Sequence, residues 1–163
     1  MKKIWKKSGW MLIAGALALG GCATKEYVAS KPFAQVGAEH NVTAVTLLAL
    51  RNYTDVPEAG KRAANLVAGV LRAKGFAVKE AFRKRKKGDP CEMVDDRYVM
   101  DGGVSEWRYK TGIDGEPAVS LQLTLHDCQS KKILWSATAS SNDYWRASIG
   151  TTAQAVIEKM FKD

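Results

Sequence analysis

The sequence predicts an α/β domain in which a mixed β-sheet packs against helices in the order β-α-β-β-β-β-α. The mostly apolar run over 41–50 is typical of a central strand that is buried on both faces. An amphipathic helical pattern follows it directly. Further along, apolar residues from Val119 to Leu125 alternate with polar ones, which indicates a strand with one buried face. Strand and helix patterns that share one stretch of chain favour an α/β sandwich.

The first strand, the first helix and the second strand form one unit. Thr54 and Asp55 precede Pro57, and a capping side chain followed by an early proline predicts a helix start. Gly75 ends the helix, because glycine tolerates the left-handed conformation found after many helices. The chain then resumes as a strand over 76–81. Such a strand–helix–strand crossover is right-handed and makes a parallel pair.

Three more strands and a last helix complete the predicted domain. Asp114-Gly115 is a hairpin-type dipeptide, because both residues tolerate positive φ. The sequence on either side of this dipeptide predicts strands at 99–109, 119–126 and 133–139 and a helix at 147–161.

The N-terminus predicts a lipoprotein signal peptide over 1–21. Four lysines precede a short apolar core at 11–19, which is well below the roughly 20 residues that a membrane-spanning helix needs. Leu19-Gly20-Gly21-Cys22 then has the pattern of a bacterial lipobox, with the Cys22 thiol as the acceptor of diacylglycerol. An ordinary signal peptide with a free Cys22 is the alternative. We expect an acylated tether at 22–40 and a single α/β domain at 41–163.

Cleavage of the signal peptide bears on the cellular location and the net charge of the mature protein. Ala23 follows the acylated cysteine, whereas an aspartate there would favour the inner membrane, so we expect the periplasmic face of the outer membrane. The precursor has a formal net charge of +8, and loss of the four lysines with no acidic residue leaves +4. Nucleic acid is therefore not an expected partner.

Sites for catalysis, metals and cofactors are not indicated. His40 and His126 are the two histidines, and no HxH, HExxH or CxxC spacing occurs. Asp114 and Glu116 lie two residues apart in a turn, where a fixed negative patch is a better interpretation than a glycosidase pair. We expect a protein that is not an enzyme and needs no cofactor.

Three other features leave alternatives open. Cys91 and Cys128 form a disulfide in the oxidising periplasm, or they are two free buried thiols. The basic run 83–87 is a solvated loop, or it contacts anionic lipid headgroups. In the polar loop after the last strand, Tyr144 and Trp145 either pack under the final helix or face lipid, where indole rings partition well.

A family resemblance rests on several longer motifs. They are the runs Asn52–Arg62, Glu106–Lys110 followed by Gly112–Val119, Leu134–Ser136, and Trp145-Arg146. In these motifs the chain resembles the PelC family, outer-membrane lipoproteins of the bacterial Pel polysaccharide export system. The resemblance covers the chain from the first strand to the last helix, and it is weakest at 83–97.

The resemblance implies a fold akin to CsgG and to the N-terminal domain of TolB, and a dodecameric ring beneath the outer membrane. The ring's periplasmic side would present an acidic funnel that attracts cationic Pel polysaccharide and passes it to the PelB porin. Asp114 and Glu116 are the candidates for the funnel or its rim, since a repeated carboxylate focuses the field. Trp145, together with Tyr144, is the candidate for membrane contact.

Arg108 and Tyr109 are the candidates for the subunit interface, where both residue types are over-represented. The alternative function is a monomeric accessory lipoprotein with the same fold that binds and activates a periplasmic envelope-biogenesis protein. An enzyme of polysaccharide modification ranks third, because the site chemistry it would need is missing from the sequence.

Overall fold

Strands and helices alternate along the computed structural model, which describes residues 25–82, 88–111, 115–142 and 147–162. The helices within these residues are α1 (Phe33–His40), α2 (Ala59–Ala73) and α3 (Ile149–Met160), and a short 3-10 turn spans Pro90–Glu92. The strands are β1 (Lys25–Ala29), β2 (Ala44–Leu48), β3 (Arg51–Asn52), β4 (Ala77–Ala81), β5 (Tyr98–Tyr109), β6 (Pro117–Asp127) and β7 (Lys132–Asn142).

All of these strands belong to one mixed sheet. Its order is β1-β7-β6-β5-β2-β4, and β3 pairs with β5 beside this path. The pairs of β2 with β4 and with β5 are parallel, whereas β5, β6, β7 and β1 follow one another as antiparallel neighbours. The predicted α/β class and the parallel β-α-β unit are therefore confirmed.

The α-helices pack on one face of the sheet. Leu121, Leu123 and Leu125 of β6 are at most 1% exposed and join one core cluster with the buried faces of α2 and α3. The alternate residues of β6 point away from this cluster, as the period-two pattern predicted. We call the side of the sheet opposite the helices the helix-free face.

Residues 25–40 correct one prediction, because they belong to the fold and are not a tether. β1 pairs with β7 from Lys25 opposite Ser141 to Ala29 opposite Ala137. Phe33 at the start of α1 is 1% exposed. Its ring lies 4.9 Å from that of Trp135 and 4.8 Å from that of Phe161. The apolar residues here are few and are divided by Ser30-Lys31-Pro32, so the segment is too short for a periodic signal.

The predicted start of the first long helix is also wrong, because α2 begins at Ala59. The backbone N–H of Thr54 donates to Asn52 Oδ1 over 3.0 Å, and that of Val56 donates to Thr54 Oγ1 over 3.1 Å. Glu58 then takes a left-handed conformation with φ 63°. The polar side chains that resemble helix caps instead stabilise a loop, which is the competing use of Asn and Thr.

Two strands differ in length from the prediction. β2 is shorter than the run 41–50, since Asn41 ends α1 in a left-handed conformation. β7 continues to Asn142, so part of the predicted polar loop after 139 pairs with β6 and β1.

A disulfide joins Cys91 to Cys128, which the sequence left open. It ties segment 88–97 to the end of β6, across a sequence separation of 37 residues. The backbone N–H of Cys128 donates to the Arg97 carbonyl over 2.7 Å, and Lys79 forms an ion pair of 2.8 Å with Asp96. Segment 88–97 is therefore fixed to the sheet at both of its flanks. The basic run 83–87 lies outside the described residues.

Replacing both cysteines, Cys91→Ser with Cys128→Ser, should lower the free energy of unfolding by about 4 kcal/mol, because the closed loop restricts the unfolded chain. Urea unfolding of the oxidised protein and of the double variant measures this difference. Wild-type protein in excess reductant is the matched control and should unfold with the double variant. Equal midpoints for oxidised wild type and double variant would contradict the stabilising role.

A buried carboxylate stabilises the same corner of the fold. The Arg97 guanidinium donates two hydrogen bonds of 3.2 Å to Asp127, whose side chain is 5% exposed. These bonds are the main reason that the pKa of Asp127 falls to about 2, and Ser130 and the N–H of Gln129 also lower this pKa. Burial acts in the opposite direction but is weaker.

The stability supplied by Asp127 should be present above about pH 4 and lost as the pH falls toward 2, because the folded pKa lies below the usual 3.8. Asp127→Asn should flatten this part of the stability profile and lower stability at pH 7 by about 1 kcal/mol, given that Arg97 is half exposed. Thermal unfolding between pH 2 and pH 7 tests both points. Parallel profiles for the two proteins would show that Asp127 does not supply the acid-labile stability.

Candidate functional site

Among the described candidates, Arg108, Tyr109 and Glu116 lie at one end of the sheet, which we call the hairpin end. The disulfide of Cys91 with Cys128 lies at the other end. The hairpin end comprises the start of β1, the end of β5, the start of β6 and the end of β7. Lys25 lies opposite Ser141, Asn142 lies opposite Ala118, and Tyr109 lies opposite Pro117. Cys22, Asp114, Tyr144 and Trp145 lie outside the described residues, and each belongs to a segment that continues from one of these strand ends.

Glu116 lies at the root of the β5–β6 hairpin. Its carbonyl accepts a hydrogen bond of 2.7 Å from the N–H of Lys110, and Gly115 supplies a positive φ of 51° beside it. The Glu116 side chain is half-buried. The backbone therefore fixes where this carboxylate lies, although Asp114 itself is not described.

Arg108 and Tyr109 lie on opposite faces of the sheet, so a single flat contact cannot use both side chains. Arg108 lies on the helix-free face and forms an ion pair of 3.0 Å with Glu106. Tyr109 lies on the helix side, and its hydroxyl accepts a hydrogen bond of 3.3 Å from the N–H of Ile149. Its side chain is 51% exposed. The hydroxyl satisfies a free N–H at the first turn of α3, beside the capping box of Ser148 and Thr151.

The helix-free face is polar over β6 and β7. Gln122 and Thr138 face each other across these strands and are exposed. On the same face, His126 Nε2 lies 2.9 Å from Asp101 Oδ1. His126 thus has a carboxylate partner in the sheet, and among the described residues no three His, Cys, Asp or Glu side chains come together as metal ligands.

Tyr53 is a candidate that sequence reasoning missed. Its N–H continues the pairing of β3 by donating to the Val104 carbonyl over 2.9 Å, and its ring lies over Gly103. A Cβ at Gly103 would lie 2.6 Å from this ring, so any other residue there would displace the Tyr53 ring from this position. The Tyr53 side chain is nonetheless 65% exposed. The available signal was Gly102-Gly103 inside a strand, which marks a close approach of another group.

The opposite end of the sheet carries a separate acidic segment. Asp89, Glu92 and Asp95 are exposed on segment 88–97, which leads into the start of β5. The length of β6, 11 residues, separates this end from the hairpin end by roughly 35 Å. Charged candidates therefore exist at both ends of the fold.

The helices of the described residues are all too short or too polar to cross a bilayer.

No protein-family model and no curated protein matches the chain. Solved structures do match. The PelC dodecamer from Paraburkholderia phytofirmans is 32% identical, with a TM-score of 0.72, over 84% of this chain and 94% of that one. A point variant of that dodecamer matches at 32% identity and a TM-score of 0.68, over 85% and 94%.

A third structure shares the fold alone. Lipoprotein GNA1162 from Neisseria meningitidis is 19% identical, with a TM-score of 0.57, over 72% of this chain and 96% of that one. This chain and that lipoprotein therefore share their fold.

Proposed function

The chain belongs to the PelC family, and we propose that it is an outer-membrane lipoprotein whose ring guides a cationic exopolysaccharide to an outer-membrane porin of the PelB kind. The observation that carries this proposal is the match to two PelC dodecamers over 84% and 85% of the chain. PelC-like identity and a homo-oligomer follow from that match. The ring, the polymer and the porin are the further steps that we propose.

The position of β1 supports an orientation for the subunit. Lys25 begins β1 at the hairpin end, three residues after Cys22. Three residues span at most about 11 Å, so an acyl group on Cys22 would hold the hairpin end close to the membrane. The aromatic pair Tyr144-Trp145 follows β7 at this same end. The acidic end with Glu92 and Asp95 would then face the periplasm.

This orientation refines which carboxylates meet the polymer first. Glu92 and Asp95 would lie at the periplasmic entrance, whereas Asp114 and Glu116 would lie near the membrane, where the polymer leaves. Among the described residues beside the entrance, Lys79 is paired with Asp96 and Arg97 with Asp127. A carboxylate repeated around a ring focuses a negative field even though the mature subunit has a net charge of +4.

Binding and passage, and not catalysis, are the proposed chemistry. The related structures are a PelC assembly and a lipoprotein. The buried charged groups at the sheet, Asp101 with His126 and Asp127 with Arg97, are each closed by a partner within the subunit. They stabilise the fold and need no cofactor.

Neutralising either carboxylate set should reduce surface polysaccharide several-fold while the assembly survives. The two variants are Glu92→Gln with Asp95→Asn, and Asp114→Asn with Glu116→Gln. Surface polymer is measured in producing cells, and native mass is measured for the mature acylated protein in mild detergent. Glu158→Gln, on the exposed side of α3, is the matched control and should change neither quantity.

The two measurements separate the competing outcomes. Full export with either double variant would remove that carboxylate set from the polymer path. A wild-type protein that stays monomeric at all concentrations would instead favour the accessory-lipoprotein alternative.

Replacing Trp145 by alanine should weaken membrane binding of the non-acylated Cys22→Ala protein by roughly tenfold, since burial of a large apolar side chain stabilises by more than about 1.4 kcal/mol. Liposome flotation measures the partitioning. Met93→Ala is the matched control, because Met93 is a partly exposed apolar side chain on segment 88–97, at the opposite end of the sheet. Unchanged partitioning of the Trp145→Ala protein would place Trp145 in the protein core.

A further inference from the structure

The helix-free face carries most of the large apolar side chains that the described residues expose. There are four such side chains: Val28 at 73% exposure, Tyr53 at 65%, Ile133 at 63% and Tyr109 at 51%. Val28 lies opposite Thr138, and Ile133 lies opposite His126, so both are on the helix-free face. Tyr53 lies over Gly103 on the same face. Val28 and the ring of Tyr53 thus flank the pair Thr138 and Gln122 across the sheet, and exposed apolar side chains that share one face indicate a contact surface.

The charge distribution on this face has the anatomy of a protein interface. Its centre is uncharged, with the outward side chains Ser120, Gln122, Ser136, Thr138 and Ser140 on β6 and β7. Charged groups lie on both sides of this centre. Glu26 is exposed on β1 opposite Ser140, and toward β5 Glu106 pairs with Arg108 and Asp101 pairs with His126. Interface centres are depleted of charge and enriched in tyrosine and arginine.

Hydrogen bonds within the subunit fix the position of Tyr53 before any contact forms. Hydrogen bonds from Asn52 to the Val56 carbonyl and from Thr54 to Asn52 lock its loop, at 2.8 Å and 2.7 Å. Arg51 Nη1 donates to the Tyr53 hydroxyl over 3.5 Å. An aromatic side chain that is already ordered loses little entropy on binding, which is a property of binding hot spots.

The opposite side of the subunit has a complementary feature on α2. Gly69 lies in the interior of this 15-residue helix, is exposed, and has no atom within 4 Å of the place of a Cβ. Glycine destabilises a helix interior relative to alanine, and nothing within the subunit requires it here. A glycine at such a position permits close approach of another chain.

Ring closure requires two different surfaces on each subunit. In a ring of twelve, neighbours are rotated by about 30°, so the two surfaces lie about 150° apart. The two sides of an α/β sandwich have nearly this relation. We propose that the helix-free face of one subunit, around Tyr53 and Thr138, packs on the outer surface of α2 of the next, around Gly69. The occupant is a second copy of this chain, and the inference rests on the proposed ring.

Native mass of the mature acylated protein in mild detergent tests this contact. Thr138→Arg adds a charge at the centre of the helix-free face and should reduce the particle to a single subunit. Gln129→Arg is the matched control, because it adds the same charge in the exposed β6–β7 turn, at the end of the sheet and away from both faces. It should keep the wild-type mass.

Gly69→Leu provides a second variant from the other side of the contact. It should also give a single subunit, yet with a melting temperature no lower than that of a Thr138→Arg subunit, because leucine is a better helix former and meets no atom. This variant keeps the inference testable if Thr138→Arg does not fold.

Cross-linking identifies the partner surface directly. A Thr138→Cys and Gly69→Cys double variant treated with a bifunctional maleimide should give a ladder of multimers, and either single variant should not. If the wild-type protein forms a ring and both Thr138→Arg and Gly69→Leu keep its mass, this contact is overturned and the proposed function stands. The same holds if the double-cysteine variant of a ring-forming protein gives no ladder. A wild-type monomer would overturn both.

Discussion

The pairing of β6 with β5 and β7 is the interaction on which the rest of the fold depends. β6 is hydrogen-bonded on both sides over nearly its whole length, and every second side chain is buried under the helices. This ladder fixes the inward leucines that hold α2 and α3. It also fixes the opposite row, which forms the uncharged centre of the helix-free face. A shift in register by one residue would exchange the two faces, so the position of each candidate residue follows from this register.

An aromatic cluster anchors the N-terminal segment 25–40 to the sheet. Phe33, Trp135 and Phe161 pack edge to face or stacked, and the Trp135 indole donates to the Lys31 carbonyl over 2.9 Å. Aromatic pairs of this kind stabilise beyond the area that they bury. Because β1 is held on the sheet by this cluster and by β7, a lipid on Cys22 would orient the whole subunit and not only tether it.

The proposed function depends on binding surfaces and not on a reactive site. The most buried of the described charged side chains, Asp101 and Asp127, are paired within the subunit, whereas the exposed Glu92 and Asp95 lie at one end of the sheet. The two broad faces are the helix-free face and the helix layer. In the proposed ring such a subunit would act through repetition, since one copy supplies a few charges and twelve would supply a continuous field.

The sequence alone predicted the elements with long periodic signals, and the tertiary structure decided the rest. The alternation from Val119 to Leu125 and the parallel β-α-β unit were confirmed, because burial of one face or of both leaves a repeating pattern. β1 and α1 were missed, since five and eight residues carry too little pattern. Thr54 was misread as a cap because its hydroxyl serves a turn equally well. The fit of Tyr53 on Gly103 and the meeting of four strand ends join residues distant in sequence, so only the folded chain determines them.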